Sequence, residues 1–260
     1  GTARAAGYKL ILAPYPVMMS QPHVKALVDY VRDGGTLLTE ARCGWVDEKG
    51  TSSPVIPGGG LHEVLGCREV EVTPLAKTGV IEVKVADEAF PLLKPGDKLD
   101  SLFFEESLEV FGKASRVLAT FPDGRPAIVA ASFGKGRAII VGSFLGSAYH
   151  HFKNPNNGKF FAGLAEWLKI APPVRVTVSA PDAVVEGRLL QGDGYALLFG
   201  FNRGDKEVKA KFGVKTEAGR VAAADLETGE AVAVTKDKDR ATVEKSFKPG
   251  EVWVVRIDMR

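Results

Sequence analysis

The chain has 260 residues, of which 45% are hydrophobic, enough for one large domain or for two of ordinary size that each have a core. Its 34 Lys and Arg residues nearly balance its 32 Asp and Glu residues, and the net charge of +2 gives no electrostatic basis for binding nucleic acid or an anionic membrane. Two cysteines are too few for a disulfide framework, so a reducing, cytoplasmic location is expected.

The first part of the chain has the pattern of an α/β domain. Residues 9–13, KLILA, form a short continuous apolar run, which predicts a strand covered on both faces. An apolar stripe at helical spacing follows, with Ser20 at the N-cap and Gly34 at the stop. TLLTEA, residues 36–41, predicts a second buried strand. Strand, helix and strand with short links imply parallel pairing and a right-handed crossover.

Further elements of this first part follow from local pattern. The run SFGKGRAIIVG predicts a β-hairpin with Gly134 and Gly136 in its turn, and residues 159–170 predict an amphipathic helix. The adjacent carboxylates of FFEE, residues 103–106, are predicted to lie on a solvated polar face. The other predicted elements are a loop at 51–60, a short helix at 61–66 and strands at 80–86, 116–121 and 126–133.

The sequence pattern changes after residue 171, which divides the chain into two parts. Pro172 and Pro173 cannot continue a helix and favour an extended connector. Beyond them, short strand-like segments alternate with turn signals, which predicts an antiparallel β-sandwich of about ninety residues. The expected domains are therefore 1–171, of α/β class, and 172–260. The aromatic residues Tyr195, Phe199, Phe201 and Trp253 of the second domain are predicted to lie in its core.

Cys43 is a candidate catalytic nucleophile, because a thiol at a strand-to-helix elbow is the nucleophile of class I glutamine amidotransferase-like folds. The run here is Ala-Arg-Cys-Gly-Trp, which lacks the flanking glycines that relieve crowding at such an elbow. The elbow is expected near Glu40 or Ala41, which places Cys43 beyond it. A loop cysteine without catalytic function is the interpretation that the residues favour.

His150 and His151 are the matching candidates for a general base, since they follow the strand-like run AIIVGS. The nearest downstream carboxylate is Glu166, inside a predicted helix. The favoured interpretation of SAYHHFKNPNNGKF, residues 147–160, is a polar loop that packs, caps a helix or contacts a neighbour. Neither a metal site nor a cofactor site is predicted, because the histidines lie on unrelated segments or are adjacent.

Several segments in order resemble the C-terminal half of glycoside hydrolase family 42 β-galactosidases. They are YKLILAP (8–14), YVRDGGTLLTEARCGWVDEKG (30–50), PGGGLHEVLGCREVE (57–71) and DGRPAIVAASFGKGRAIIVGSFLG (123–146). The final segment, with VVEGRLLQGDGYALLFGFNRGD and EVWVVRI, is similar to the small β-domain of the family. The resemblance covers nearly the whole chain.

This resemblance implies a fold and a role. Residues 1–171 would be a degenerate class I glutamine amidotransferase-like (flavodoxin-like) domain that serves trimerisation, opening at the family's second strand and so lacking its first strand and helix. The catalytic glutamates of the family lie on a (β/α)₈ barrel, which needs ~250 residues of its own and is not expected within this chain. The expected function is a non-catalytic assembly and support region of a β-galactosidase-like glycoside hydrolase.

The expected partners are other copies of the chain in a homotrimer and the catalytic barrel of a parent protein. The loops 41–50 and 147–158 are the candidate contact segments. Their candidate contact residues are Arg42, Trp45, Asp47, Glu48, Tyr149, His150, Asn154 and Asn156. Two alternatives stay open: a free-standing amidotransferase-like hydrolase that uses Cys43, and carbohydrate binding by the second domain.

Overall fold

The computed structural model describes residues 7–237 and 239–260. The chain divides into two compact units, one ending at Ile170 and the other beginning at Ala171. Within the described residues, no helix combines the length and apolar character needed to cross a membrane.

The first unit is built on a seven-stranded mixed sheet of order β1-β2-β9-β8-β7-β4-β5, with a separate two-stranded ribbon of β3 and β6. The strands are β1 Leu10–Ala13, β2 Thr36–Thr39, β3 Cys67–Pro74, β4 Gly79–Val83, β5 Lys98–Ser101, β6 Phe104–Val110, β7 Ser115–Thr120, β8 Pro126–Phe133 and β9 Gly136–Val141. The helices are α1 Gln21–Arg32, α2 Leu61–Leu65, α3 Leu145–Phe152 and α4 Pro155–Trp167, and a single 3₁₀ turn spans Gly58–Gly60.

The predicted strand–helix–strand unit is confirmed. β1 pairs with β2 in parallel, with Leu10 opposite Thr36, and β2 pairs in parallel with β9 on its other side. α1 has Pro22 in its first turn, where the missing N–H costs no helical hydrogen bond. All four residues of β2 are buried, as a continuous apolar run in a parallel sheet predicts.

The sheet separates two apolar cores. Neighbouring residues of a strand point to opposite faces, so Leu37 contributes to the core that contains α1 and α2, and Leu38 contributes to the core that contains α4. The same alternation sends Ile140 to the first core and Ile139 to the second. The sheet is therefore covered by apolar side chains on both faces.

The segment 147–158 differs from its prediction as a polar loop. Residues 145–152 form α3, and α4 begins at Pro155, earlier than the predicted start at 159. α3 is stabilised from outside its own sequence, because the carboxylate of Glu40 accepts a hydrogen bond from the backbone N–H of Gly146 at 2.7 Å. Such a distant cap leaves no local signal in the sequence.

Two further details of the first unit differ from the sequence expectations. Strands β3, β5 and β6 were not predicted. The hairpin between β8 and β9 is present, but only Gly134 (φ 59°) and Lys135 form its turn, because Gly136 already pairs with Phe133. A two-residue turn with positive φ suits the twist of an antiparallel pair.

The second unit consists of two antiparallel sheets that share one apolar core. The four-stranded sheet contains β10 Val174–Val178, β13 Val208–Lys215, β17 Arg240–Phe247 and β16 Thr235–Asp237. The five-stranded sheet contains β11 Val185–Gly192, β12 Tyr195–Asn202, β18 Val252–Met259, β14 Val221–Asp225 and β15 Ala231–Val232. Short strands with turn signals predicted this architecture, whereas the short β15 and β16 were missed.

The aromatic residues of β12 do not lie in the core as predicted. Trp253 does, with its ring centroid 6.1 Å from that of Phe212 and its indole N–H donating to Asp225 at 2.7 Å. Tyr195, Phe199 and Phe201 alternate with the buried residues of β12 and are only half-buried. The alternation of a strand sets this outcome, because residues at odd positions of β12 must face away from the core.

Asn157 gives a test of how α4 is fixed to the sheet. Its buried amide accepts from the backbone N–H of Asp100 at 2.9 Å and donates to the Asp100 carbonyl at 2.9 Å. We expect Asn157→Ala to lower the free energy of unfolding by about 2–4 kcal/mol, because buried backbone groups lose their partner. Urea titration measures the change, and the exposed Lys159→Ala is the control, expected within about 0.5 kcal/mol of wild type.

Candidate functional site

The carboxyl ends of three parallel strands meet at one edge of the first unit, here called the carboxyl edge. The loops 14–20, 40–57 and 142–144 leave β1, β2 and β9 there. Backbone hydrogen bonds join these loops: Gly44 N–H donates to Pro16 O at 2.8 Å, and Met19 N–H donates to Val46 O at 3.0 Å. Ligand sites of open α/β sheets lie at such edges, so this edge holds the candidate functional residues.

The turn after β2 keeps the outline of a strained elbow. β2 ends at Thr39, Glu40 and Ala41 are buried, and Arg42 has φ 65°, in the left-handed region. Residues with a Cβ rarely adopt this conformation outside tight or functional turns. The position with the unusual backbone therefore carries a guanidinium group, and Cys43 follows it.

Cys43 is a core residue in the structure. Its side chain is buried in the apolar cluster that contains α1 and α2, and burial raises the pKa of its thiol to about 12. Cys67 lies in the same cluster, and burial also raises the pKa of its thiol. A nucleophilic cysteine needs a depressed pKa and access to substrate. The environment of Cys43 has the opposite character, which argues against a catalytic thiol.

The two candidate histidines lie in the last turn of α3 and are exposed. The ring of His151 packs edge-on against Phe152, with centroids 4.7 Å apart. Among the described hydrogen bonds and ion pairs, neither histidine is oriented by a carboxylate, as a general base would be. The structure thus supplies no acid–base pair around these residues.

The candidate contact residues divide into structural and exposed groups. Asp47 accepts hydrogen bonds from the N–H groups of Lys49 and Thr51, both at 2.8 Å, and so shapes its own loop. Asn154 caps α4 by accepting from Asn156 N–H at 3.0 Å, and Asn156 also donates to Lys98 O. The exposed candidates are Trp45, Glu48, Tyr149 and His150.

A cluster of charged groups lies beneath the turn. Arg42 donates to both carboxylate oxygens of Glu69, at 2.7 and 2.6 Å, and its guanidinium lies 4.0 Å from the centre of the Trp45 ring. The backbone N–H of Arg42 donates to a carboxylate oxygen of Glu106 at 2.5 Å. Arg42 therefore links an exposed indole, a largely buried ion pair and a buried carboxyl group.

Glu106 corrects the expectation that the carboxylates of FFEE lie on a solvated face. Its side chain is fully buried, and Glu105 is mostly buried beside Arg125 at 3.2 Å. Burial and the neighbouring Glu69 raise the pKa of Glu106 to about 8. Sequence inspection missed this group because strand β6 was not predicted, and its buried stretch Glu106–Leu108 has no in-and-out alternation that would mark the strand.

Comparison with protein families matches residues 2–170 to the β-galactosidase trimerisation domain. The chain belongs to this family. Its curated relatives include the β-galactosidase BgaB of Geobacillus sp. strain Y412MC61, 28% identical over 146 residues that cover 55% of this chain and 20% of that enzyme. The protein of the same name from Geobacillus kaustophilus matches equally. The chain thus spans 20% of the length of the curated relatives it matches.

Solved structures of the family show the same fold over nearly the whole chain. The β-galactosidase from Bacillus circulans sp. alkalophilus superposes with a TM-score of 0.73 at 20% identity, covering 96% of this chain and 33% of that one. Gan42B, a GH42 β-galactosidase from G. stearothermophilus, superposes with a TM-score of 0.71 at 21% identity, covering 97% and 32%. At these identities the likeness establishes the fold of this trimerisation-family chain.

The pKa of Glu106 predicts a pH dependence of stability. A carboxyl group whose pKa is higher folded than unfolded holds its proton more tightly in the fold, so its contribution falls as pH rises from about 4.5 to about 8. Glu106→Gln cannot ionise, and we expect it to gain on the order of 2 kcal/mol relative to wild type between pH 5 and pH 8.5. Urea titrations at both pH values measure this. The exposed Glu71→Gln is the control, and equal pH dependence in all three proteins would contradict the assignment.

The thiol environments predict slow chemistry. At pH 6 and at pH 7.5, iodoacetamide should modify Cys43 and Cys67 far more slowly in the native chain than in urea. The native thiols are buried away from the reagent, and their raised pKa keeps them protonated. Mass spectrometry of tryptic peptides follows each residue separately. Rapid native labelling of Cys43 at pH 6 would restore the catalytic interpretation.

Proposed function

We propose that this chain is the assembly and support region of a glycoside hydrolase family 42 β-galactosidase, and that it forms a trimer with its sister subunits. The observation that carries this proposal is the match of residues 2–170 to the β-galactosidase trimerisation domain. The hydrolysis of terminal β-galactosides would then belong to a barrel elsewhere in a parent protein, held in register by this region. The relatives named as β-galactosidases support that relation.

We infer that the first unit is a degenerate class I glutamine amidotransferase-like domain of flavodoxin-like type. Support comes from the parallel strands β1, β2 and β9 and from the turn after β2, where Arg42 has left-handed backbone. In an active domain of that type the turn would present a nucleophile. Here it presents a guanidinium group to Glu69 and directs the thiol of Cys43 into the core.

Exposed apolar side chains at the carboxyl edge support a protein-binding role for the predicted loops. Trp45 lies on the 41–50 loop, and Met18, 60% exposed, lies on the adjoining loop, where it bridges to Val46. On the 147–158 segment, Tyr149 and Phe152 are exposed along α3. Clusters of exposed apolar residues are typical of surfaces that bind another protein. These residues are the proposed contacts to sister subunits or to the barrel.

Two other functions receive less support. The amidotransferase-like hydrolase would need Cys43 accessible, and it is buried with a raised pKa. Carbohydrate binding would need free aromatic faces on the second unit. Two of its half-buried rings are instead covered by arginine side chains. The guanidinium of Arg256 lies over the Tyr195 ring, 4.3 Å from its centre, and that of Arg203 lies over the Phe201 ring, 4.6 Å from its centre.

The oligomeric state tests the proposal. Light scattering coupled to size exclusion should give three times the subunit mass at high protein concentration. The subunit mass is 27.8 kDa for this chain, and a longer protein that contains it should give three times its own chain mass. We expect the double variant Met18→Ser and Trp45→Ser to raise the dissociation constant at least tenfold, because apolar burial at the contact is lost.

The matched control carries Val184→Ser and Leu226→Ser, which are exposed apolar residues of the second unit. It should assemble like wild type. A monomer at every concentration, for both this chain and the longer protein, would overturn the proposed function.

A further inference from the structure

A cavity of about 510 Å³ opens at the carboxyl edge of the first unit. Its walls are aromatic and aliphatic, with Tyr15, Phe103, Phe104, Phe144 and Leu75 among the lining side chains. The volume lies in the range of small-molecule sites, and the position beside the carboxyl ends of parallel strands is where α/β sheets bind ligands.

The aromatic wall is an ordered cluster around one ring. Phe144 is buried, and the rings of Tyr15 and Phe103 meet it edge-on, with centroid distances of 5.1 and 5.8 Å. The ring of Phe104 makes a third edge-on contact at 6.1 Å. Edge-to-face packing of this kind fixes ring orientation, so the cavity has a preformed wall.

The two outer rings belong to residues whose backbone conformation is unfavourable. Tyr15 has φ 55° and Phe103 has φ 69°, while their side chains are 57% and 53% exposed. Left-handed backbone at a bulky residue is uncommon and is found at ligand clamps and active sites. Surrounding hydrogen bonds fix it: Leu75 N–H donates to Phe103 O at 2.8 Å, and the Ser143 hydroxyl bonds both backbone groups of Leu102 at 3.2–3.3 Å. The fold thus maintains exposed aromatic rings at a conformational cost.

One carboxylate lies in this apolar setting. Glu40 lines the cavity, is 4% exposed, and accepts a hydrogen bond from Gly146 N–H at 2.7 Å. The residues that line the cavity include no lysine or arginine, and none of the described ion pairs involves Glu40. A buried carboxyl group in apolar surroundings without a counterion is a functional-site feature, because its ionised form is unfavourable until a positively charged partner arrives.

We propose that this cavity binds an organic cation, an ammonium or guanidinium group on a short apolar stem. Aromatic rings such as those of Tyr15, Phe103 and Phe144 attract a cation through their quadrupoles, and Glu40 supplies the opposite charge. An anion would be repelled by Glu40, and a neutral apolar guest would leave the carboxylate without a counterion. The proposal does not depend on assembly of the chain.

The test compares a cation with a neutral molecule of the same shape. The ¹⁵N-labelled chain is titrated at pH 7 with n-butylammonium and, separately, with 1-butanol, and the amide resonance of Gly146 reports on Glu40. We expect a saturable shift with n-butylammonium and a dissociation constant at least tenfold higher for 1-butanol. Equal affinities for the two molecules, or no saturable shift with n-butylammonium, would overturn the proposal.

Matched variants separate charge from packing. Glu40→Gln keeps an oxygen acceptor for Gly146 N–H and removes the charge, so it should lose the preference for n-butylammonium while 1-butanol binding is unchanged. Glu63→Gln, which changes an exposed carboxylate of α2 that does not line the cavity, should bind like wild type. Phe103→Ala should weaken n-butylammonium binding at least fivefold, and its amide spectrum controls for folding. An unchanged preference in Glu40→Gln contradicts the role of the carboxylate.

The source of the cation is decided by a second measurement on the same samples. Should the natural occupant be a lysine or arginine side chain of a neighbouring subunit, saturating n-butylammonium lowers the mass measured by light scattering. Should it be a free small molecule, the mass is unchanged although Gly146 shifts. Both outcomes support a cation site, whereas failure of trimer formation alone would affect only the proposed function.

Discussion

The parallel pairing of β2 with β1 on one side and β9 on the other is the constraint on which the first unit depends. It brings three chain-distant loops to a single edge, and those loops then bond to one another through their backbones. Both faces of the sheet are filled by apolar cores, and the exposed aromatic residues Tyr15 and Trp45 lie in the loops at that edge. The cavity, the Arg42 cluster and the exposed Trp45 are all consequences of this arrangement.

Two buried carboxyl groups at this edge differ in what compensates for their removal from water. Glu40 accepts the N–H groups at the start of α3, which favour its negative charge, although burial still raises its pKa. Glu106 lies close to Glu69 and has weaker compensation, so its pKa rises to about 8. The guanidinium of Arg42 goes to Glu69, which leaves Glu106 with a single backbone donor from that residue. The position of each carboxyl group relative to a helix start and to a cation therefore determines how far its burial is compensated, although the two groups are chemically identical.

Local pattern predicted much of the fold, since α1, β2 and the hairpin of β8 and β9 each carry their signal within a few residues. It did not predict α3, because Glu40 stabilises that helix from more than a hundred residues away. It also did not predict the buried state of Glu106, since strand β6 has weak alternation and depends on its partner β3. The cavity could not be predicted, because its lining comes from separate segments whose proximity only the sheet order determines.

Arg42 connects the interior of the first unit to its surface through three contacts. Its backbone reaches Glu106, its guanidinium reaches Glu69, and the indole of Trp45 lies on that guanidinium. Thermodynamic linkage is reciprocal: where binding of a partner at Trp45 shifts Arg42 relative to Glu106, proton binding at Glu106 and partner binding change each other's affinity by the same factor. Association at this surface would then be accompanied by proton uptake or release, and its strength would respond to the acidity of the medium.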